Sequence, residues 1–253
     1  MVSQFLVRYW YGCVTRLDRG LDLRVMNYGF DNGVEIAVDA EDQSSRYRLQ
    51  LYHHVMGSVE VRGKDVLEVG SGRGGGASYL TRVFRPRAYL GLDFCESAVV
   101  FCQRHYTDPG LSFKQGDAQC IPASDGLFDI VLNVESSHTY PDVAGFFREA
   151  HRVLRPGGHF LFADFRPSAD AARVPRLMED AGFRILSADD ITAGVLRSLD
   201  HDDAAKQHII DSSVPLLIRP LFRRFAGMKG TIMYDKFARR ELRYAHVVAQ
   251  RAD

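Results

Sequence analysis

Residues 65–80 have the sequence DVLEVGSGRGGGASYL, and this stretch decides the fold. Its apolar first half predicts a buried strand that ends at Gly70, and a helix is predicted to begin near Gly75. Glycines allow a tight turn and let the backbone approach a ligand closely, while the N-terminus of a helix offers unpaired N–H groups. The stretch therefore predicts a strand, a ligand-binding turn and a helix in succession.

Outward from this unit, short apolar runs alternate with helical stretches along most of the chain. Alternation at this spacing predicts βαβ units and a parallel sheet with both faces covered. Because ligands bind beyond the carboxyl ends of such strands, the residues that end each run are candidate site residues. The later runs are AYLGLDF (88–94), LSFKQGD (111–117), FDIVLNVE (128–135), HFLFADF (159–165), FRILSADD (183–190) and RYAHVVAQR (243–251).

The organisation of the chain follows from where this alternation starts and stops. We predict an N-terminal helical segment over 1–62, an α/β core over 63–190, a helical lid over 191–240 and the last strand of the core over 241–253. The lid contains LLIRPLFRRF (216–225), which we interpret as a helix with a basic outer face. Peripheral contact with a membrane surface or an acyl chain is the alternative for that stretch.

Composition limits the class of protein. Apolar residues make up 46% and charged residues 25% of the chain, which is typical of a globular protein. The formal net charge is zero, which argues against a protein that coats nucleic acid. No apolar run approaches the ~18 residues of a membrane-spanning helix, and the cysteines have no metal-ligand spacing. We therefore expect a cytoplasmic protein with no metal site.

The glycine turn has the spacing GxGxxG at Gly70, Gly72 and Gly75, which alone admits NAD, FAD or S-adenosylmethionine. Acidic residues distinguish among these ligands. Asp93 ends the second run, where its carboxylate can accept both ribose hydroxyls, and Asp117 ends the third, where it can accept from the exocyclic amine of adenine. Rossmann-type dehydrogenases do not usually carry the third acid followed by an apolar–Pro pair. The pattern therefore favours S-adenosylmethionine.

Four motifs resemble those of class I S-adenosylmethionine-dependent methyltransferases: EVGSGRG, GLD, GDA and RVLRPGGHFLFADF, in that order. The resemblance implies a Rossmann-like, doubly wound α/β fold with a seven-stranded, mostly parallel sheet and an antiparallel last strand. It places the cofactor S-adenosylmethionine across the ends of strands one to four. The implied cofactor-binding residues are Tyr28, Glu68 (where many members have Asp), Gly70, Ser71, Gly72, Gly74, Asp93, Phe94, Asp117, Ala118, Asn133, Val134 and Glu135.

Further motifs resemble a narrower group within that family. RYWY, MNYGF, LYHHVMG, GGGASYLTR, SSHTYP and KGT with ELRY are similar to segments of the mycobacterial phthiotriol/phenolphthiotriol dimycocerosates methyltransferases and related lipid and glycolipid O-methyltransferases. The resemblance implies methylation of a hydroxyl on a hydrophobic polyketide, lipid or glycolipid. It also implies that the segment with Tyr28 covers the methionine end of the cofactor, with ordinary N-terminal packing as the alternative.

The chemistry of methyl transfer requires acceptor atom, methyl carbon and sulfur in line, and the exclusion of water. An aliphatic hydroxyl is a poor nucleophile, so a base that removes its proton accelerates the transfer. Glu135 ends the fourth run and His138 follows it, and histidine suits the role because its pKa lies near working pH. Asp164 ends the fifth run, where it could orient His138 or contact the substrate, and the resemblance implies that it pairs with His138. A surface histidine in a turn and a strand-end cap are the respective alternatives.

Other functions are open on the same fold. The alternatives are an N- or C-methyltransferase of a small natural product, and a cyclase or binding protein that binds S-adenosylmethionine without transferring its methyl group. As partners, the sequence predicts a small hydrophobic acceptor and no nucleic acid. It carries no signal for the number of subunits.

Overall fold

A seven-stranded sheet organises the computed structural model of the chain, which describes residues 24–252. Its strands are Asp65–Val69 (β1), Ala88–Asp93 (β2), Leu111–Gln115 (β3), Phe128–Val134 (β4), Leu154–Pro167 (β5), Phe183–Asp190 (β6) and Leu242–Arg251 (β7). The strand order is β3-β2-β1-β4-β5-β7-β6; β1 to β5 pair in parallel, and β7 is antiparallel to both neighbours. This confirms the predicted fold class. The motif RYWY lies outside the described residues.

Helices cover both faces of this sheet. In the described part of the chain they are Arg46–Met56 (α1), Gly75–Phe84 (α2), Glu96–His105 (α3), Val143–Val153 (α4), Ser168–Ala171 (α5), Val174–Asp180 (α6), Thr192–Ser213 (α7), Arg219–Phe225 (α8) and Ile232–Ala238 (α9). Shorter 3₁₀ turns are formed by Ala40–Ser45, Ser137–Thr139 and Leu216–Ile218. The last three helices, α7 to α9, connect β6 to β7.

Alternate residues of the central strands pack into two different apolar cores. In β5, Leu161 and Ala163 belong to the core beneath α1, α2 and α7, whereas Phe160 and Phe162 belong to the core beneath α4 and α6. Successive side chains of a strand point to opposite faces, so a strand covered on both faces is apolar at every position. This explains why the central runs are continuously apolar in the sequence.

The helices between β6 and β7 have an apolar cluster of their own. Its buried members are Ile210, Val214, Phe222 and Met228. Met26, from the segment that precedes α1, packs against this cluster, and Ser198 on α7 donates a hydrogen bond to the Tyr28 carbonyl (3.0 Å). These contacts join α7 to α9 to the N-terminal segment. Among the described residues, no helix has the length and apolar character needed to cross a bilayer.

Candidate functional site

The turn between β1 and α2 is held by hydrogen bonds to the end of β2. The Gly70 N–H donates to a β2 carbonyl (2.7 Å), and the Gly72 N–H donates to the Asp93 carboxylate (2.7 Å). Gly70, Gly72 and Gly74 have φ values between 54° and 82°, a region that favours glycine. A Cβ on Gly70 would lie 2.2 Å from Ser136 Oγ, so this position has no room for a side chain.

A cleft opens between this turn and the extended segment that precedes α1. The Tyr52 ring packs against Gly76, where a Cβ would lie 2.4 Å from the ring. Beside the turn, Ser71 Oγ and Asn133 Oδ1 are buried and have no hydrogen-bond partner among the described residues. Because such atoms are costly to leave unpaired, they indicate a polar ligand at this place. The cleft is lined by Arg24, Val25, Met26, Tyr52, Gly70, Ser71, Gly72, Arg73, Gly76, Val134 and Glu135.

Glu68, on β1, is completely buried next to the cleft. Its two carboxylate oxygens accept hydrogen bonds from the Tyr52 and Tyr89 hydroxyls, each at 2.8 Å. Burial raises the pKa of Glu68 to about 7, against the lowering effect of the two hydroxyls. Glu68 is not part of the cleft lining; it holds Tyr52, which is.

Asp93 ends β2 at the same edge of the sheet. One carboxylate oxygen accepts the Gly72 N–H, and the other accepts the Cys95 N–H at 2.8 Å. Burial raises the pKa of Asp93, although both backbone donors lower it. The carboxylate therefore ties the glycine turn to the start of α3, at the position predicted for the ribose contact.

Phe94, Asp117 and Ala118 lie beyond the ends of β2 and β3, further along the same edge. Phe94 is exposed, whereas Ala118 is buried among the apolar residues of the second core. The Asp117 carboxylate accepts the Gln119 N–H (2.9 Å) and closes its own turn. None of these three residues lines the cleft in the described part of the chain. Their predicted contacts with adenine therefore stay predictions.

Glu135 follows β4 and lines the cleft together with residues of the glycine turn. Its carboxylate accepts the Tyr28 N–H (2.8 Å) and the Tyr244 hydroxyl (3.0 Å). Its φ of +44° is uncommon for a residue other than glycine and indicates a backbone held under strain. Burial raises the pKa of Glu135 to about 7. Val134, at the end of β4, lines the cleft beside it.

The loop after β4 and the end of β5 bring His138 and Asp164 together. His138 Nδ1 lies 2.8 Å from Asp164 Oδ1, and the His138 backbone N–H donates to Asp164 Oδ2, also at 2.8 Å. The His138 side chain is 28% exposed, so it is reachable from outside the core. Asp164 thus holds both the backbone and one ring nitrogen of His138, and Nε2 is the ring nitrogen that does not contact it.

Asp164 is buried among donors. Its carboxylate accepts hydrogen bonds from the Ser137 hydroxyl (2.5 Å) and the Phe165 N–H (2.8 Å), and Arg166 lies 3.4 Å away. Burial alone would raise the pKa of Asp164, but His138, Arg166 and Ser137 hold it well below its usual range. Asp164 is therefore ionised at neutral pH.

Aromatic rings surround this pair on one side. The Phe165 ring lies 4.4 Å from the His138 ring and 5.3 Å from the Tyr28 ring, measured between centroids. Phe237, from α9, lies 5.4 Å from Tyr28 and 5.6 Å from Phe165. The sequence predicted that Tyr28 lies near the reacting groups, and the structure places its ring in an apolar wall beside His138.

The residues that hold the predicted acids in place were missed in the sequence: Tyr52, Tyr89, Ser137, Arg166 and Tyr244. Nothing local to Tyr244 indicates a contact with Glu135, which lies 109 residues away in the chain. The register of β5 and β7, in which Phe165 faces Tyr244, brings that hydroxyl to the site. The contact between Tyr244 and Glu135 could therefore be found only from the pairing and register of β5 and β7.

Comparison with known proteins gives a consistent result. Residues 67–162 match a protein family described as "Methyltransferase domain". The matched range runs from β1 into β5 and contains the glycine turn, Glu135 and His138; it ends just before Asp164. The match therefore covers the strands and loops from β1 to β5. It does not include the N-terminal segment or the helices after β6.

Two curated proteins are similar over most of the chain. The fatty-acid O-methyltransferase of Mycolicibacterium smegmatis is 42% identical over 226 residues, which cover 88% of this chain and 82% of that protein. The phthiotriol/phenolphthiotriol dimycocerosates methyltransferase of Mycobacterium tuberculosis is 38% identical over 239 residues, covering 94% and 88%. The solved structure of the (4+2)-cyclase SpnF has a TM-score of 0.72 at 20% identity, covering 97% of this chain and 96% of that one. That last likeness shows the fold alone.

Proposed function

This chain belongs to the S-adenosylmethionine-dependent O-methyltransferase family of its curated relatives, and we propose that it methylates a hydroxyl of a hydrophobic polyketide, lipid or glycolipid. The observation that carries the proposal is the His138–Asp164 pair, a positioned base for a hydroxyl proton. The wall of Tyr28, Phe165 and Phe237 beside it suits an apolar acceptor. The names of the relatives, one a fatty-acid and one a phthiotriol enzyme, support a lipid-like acceptor.

S-adenosylmethionine supplies an electrophilic methyl group bonded to a sulfonium sulfur. The residues around the cleft fit this cofactor, because Ser71 Oγ and Asn133 Oδ1 are buried polar atoms in need of a partner and Glu135 adds a carboxylate for an ammonium group. We assign the ribose to Asp93 and the adenine to the edge with Asp117, Phe94 and Ala118, from their positions beyond β2 and β3.

The proton of the acceptor is handled by two side chains. Ionised Asp164 accepts the hydrogen bond from Nδ1–H of His138, which leaves Nε2 with a lone pair. With the cofactor bound, Nε2 would take the hydroxyl proton while the methyl group passes from the sulfonium sulfur to the acceptor oxygen, and the sulfur would keep the electron pair of the bond that breaks. The imidazolium that results is stabilised by the adjacent carboxylate, and it can release the proton to water at its exposed edge.

Burial and alignment are the other contributions of the chain. Phe165 packs against the imidazole, and Tyr28 is fixed twice, by its N–H on Glu135 and by its carbonyl on Ser198. This segment therefore closes the cleft with a backbone that both β4 and α7 hold in place. Excluding water and fixing the acceptor in line are the main requirements of such a displacement.

The proposed function is tested with methyl-labelled S-adenosylmethionine and a matched pair of acceptors, a long-chain secondary alcohol and a fatty acid of equal length. Label in the alcohol product supports the proposal. If the protein binds the cofactor in calorimetry but labels neither acceptor nor a lipid extract, the cyclase or binding-protein alternative gains. Label on nitrogen or carbon, identified by mass spectrometry of the product, would favour the N- or C-methyltransferase alternative.

A carboxyl acceptor is the second candidate, because buried positive charge lies near the cleft. Arg48 Nε and Lys206 Nζ each lie 3.6 Å from the same oxygen of Asp202, and all three side chains are buried. Burial lowers the pKa of Lys206 to about 8, with Asp202 and Glu135 acting in the opposite direction. One carboxylate thus faces two cations, and the carboxylate of a fatty acid would supply further negative charge.

The two candidates differ in their need for a base. A carboxylate is already ionised, so its methylation does not depend on His138. We expect Lys206→Met to lower labelling of the fatty acid and spare the alcohol if both are acceptors. Loss of both activities with intact cofactor binding would instead assign Lys206 a role in closing the cleft.

A further inference from the structure

The segment 214–225, VPLLIRPLFRRF, presents large apolar side chains to solvent. Leu217 is 95% exposed, Leu216 is 74% exposed and Leu221 is 47% exposed. They lie within six residues, on the 3₁₀ turn Leu216–Ile218 and the start of α8. Isolated exposed leucines are ordinary on protein surfaces, but a cluster of this kind marks an interaction site.

The opposite side of the same segment is anchored. Phe222 is buried against Ile210, Val214 and Met228, so the segment has an inner face that already completes the apolar cluster between α7 and α8. The exposed leucines Leu216, Leu217 and Leu221 are therefore not part of this apolar cluster. Met26 packs against the cluster and also lines the cleft, which makes the segment continuous with the cofactor side of the site.

The charge of the segment is of one sign. It contains three arginines and no acidic residue. Arg219 is used internally: its guanidinium donates to the Val214 carbonyl (2.9 Å) and pairs with Asp211 (3.2 Å). Arg223 and Arg224 are exposed, and neither side chain has an ion-pair partner among residues 24–252. Two available guanidinium groups thus accompany the exposed leucines.

We propose that the segment 214–225 docks this protein on an anionic lipid bilayer. The leucines enter the boundary between headgroups and acyl chains, and Arg223 and Arg224 bind the lipid phosphates, the combination typical of helices that lie on membranes. Net positive charge on the face selects an anionic surface over a neutral one. This docking goes beyond the proposed function. It would place the apolar cluster of Ile210, Val214, Phe222 and Met228 next to the membrane in which a lipid acceptor is dissolved. Met26 connects that cluster to the cleft.

The test is flotation of the full chain with vesicles of phosphatidylcholine, with and without about 30 mol% of anionic phosphatidylglycerol, since anionic lipid attracts basic segments. We expect binding to the anionic vesicles and weak binding to neutral ones. The double variant L216S/L217S should lower the partition coefficient on the order of tenfold or more, since two exposed leucines no longer insert. The control Leu186→Ser removes a leucine of β6 that is 46% exposed and should bind like the wild type.

The charge component is tested separately with R223Q/R224Q. About fivefold per arginine, or on the order of tenfold to thirtyfold together, should be lost on anionic vesicles, with no change on neutral ones. Arg173, which directly precedes α6, and Arg176, on α6, are also exposed, and the control R173Q/R176Q should bind like the wild type.

Three outcomes would overturn the proposal: no flotation of the wild type with anionic vesicles, equal loss in Leu186→Ser, or concentration-dependent self-association that L216S/L217S abolishes in the absence of lipid. The last outcome would make this face an interface between two copies of the chain. Flotation requires no methyl transfer. The docking proposal can therefore fail while labelling of an acceptor succeeds, and labelling can fail while flotation succeeds.

Discussion

Glu68 and Asp164 are both carboxylates buried in the sheet, at 0% and 1% exposure, but their partners differ. Glu68 on β1 accepts hydrogen bonds from two tyrosine hydroxyls and, among the described residues, forms no ion pair with a cation; burial raises its pKa to about 7. Asp164 on β5 is surrounded by His138, Arg166 and two further donors, the Ser137 hydroxyl and the Phe165 N–H, and its pKa is held below the usual range. Because the two carboxylates are equally buried, their hydrogen-bond and ion-pair partners decide whether each is ionised. Only Asp164 can serve as a permanent anion for a catalytic imidazole.

The largest expected effect on activity comes from a change of His138, the partner that Asp164 has and Glu68 does not. His138→Ala should lower kcat for a hydroxyl acceptor by about 10²- to 10⁴-fold, because the base that takes the proton is gone. Affinity for S-adenosylmethionine, measured by calorimetry, should stay the same, since His138 does not line the cleft. His105→Ala, which removes an exposed histidine at the end of α3, is the control. Full activity of His138→Ala would refute the general-base role.

The next effect compares the two acids directly by an acid-to-amide change at each. Asp164→Asn should lower kcat by about 10²- to 10³-fold, because an amide no longer holds the imidazole in one tautomer with a compensating charge. Glu68→Gln should leave kcat nearly unchanged, since a neutral side chain already suits its site. Asp164→Asn combined with His138→Ala should be little worse than His138→Ala alone, because the pair acts as a unit. Independent losses that multiply would show that Asp164 acts elsewhere.

The comparison also predicts opposite dependence of stability on pH. The pKa of Glu68 rises from 4.5 to about 7 on folding, so its contribution is fully present below pH 4.5 and is lost as the pH rises through 7. Glu68→Gln cannot ionise. In urea unfolding, the free energy of unfolding of Glu68→Gln minus that of the wild type should therefore increase by about 2–3 kcal/mol between pH 5 and pH 8. A difference that does not change with pH would mean that Glu68 is ionised in the folded protein at both values.

The sequence was sufficient for the sheet and for the position of each acid along it. Apolar runs of strand length and a turn that requires glycine are local features, and parallel strands bring their carboxyl ends to one edge. The pairing of Asp164 with His138 was implied by the resemblance to methyltransferases. The partners of Glu68 were not accessible in this way. Tyr52 lies on a helix before β1 and Tyr89 on the next strand, and packing of α1 across the sheet brings them together.

The exposed leucines of 216–221 are a second feature that the sequence alone could not predict. Their composition suggested a lid helix, and only the structure shows which of its apolar residues the cluster uses and which it leaves at the surface. The carboxylate of Glu135, a residue with positive φ, is likewise held by Tyr28 and Tyr244, which lie far from it in the chain. Propensity of single residues does not encode such long-range contacts.

The smallest expected effect is a hydrogen bond removed from Asp164 without loss of its charge. In Ser137→Ala, the carboxylate keeps His138 and the backbone N–H of Phe165, so it remains ionised at neutral pH and kcat should change by less than about threefold. The variant should lose about 1.5–3 kcal/mol of stability, the usual contribution of a hydrogen bond to a charged group.

The pH dependence of Ser137→Ala separates it from Glu68→Gln. Because the pKa of Asp164 falls on folding, the stability it provides is present above its ordinary value of 3.8 and is lost only as the pH drops towards the folded value. The difference between Ser137→Ala and the wild type, measured by the same urea titrations, should therefore be constant from pH 5 to pH 8 and shrink only as the pH approaches the folded pKa of Asp164, well below 3.8. A difference that varied between pH 5 and pH 8 would place the titration of Asp164 in the neutral range, and Asp164 would then resemble Glu68 and not a permanent counterion of His138.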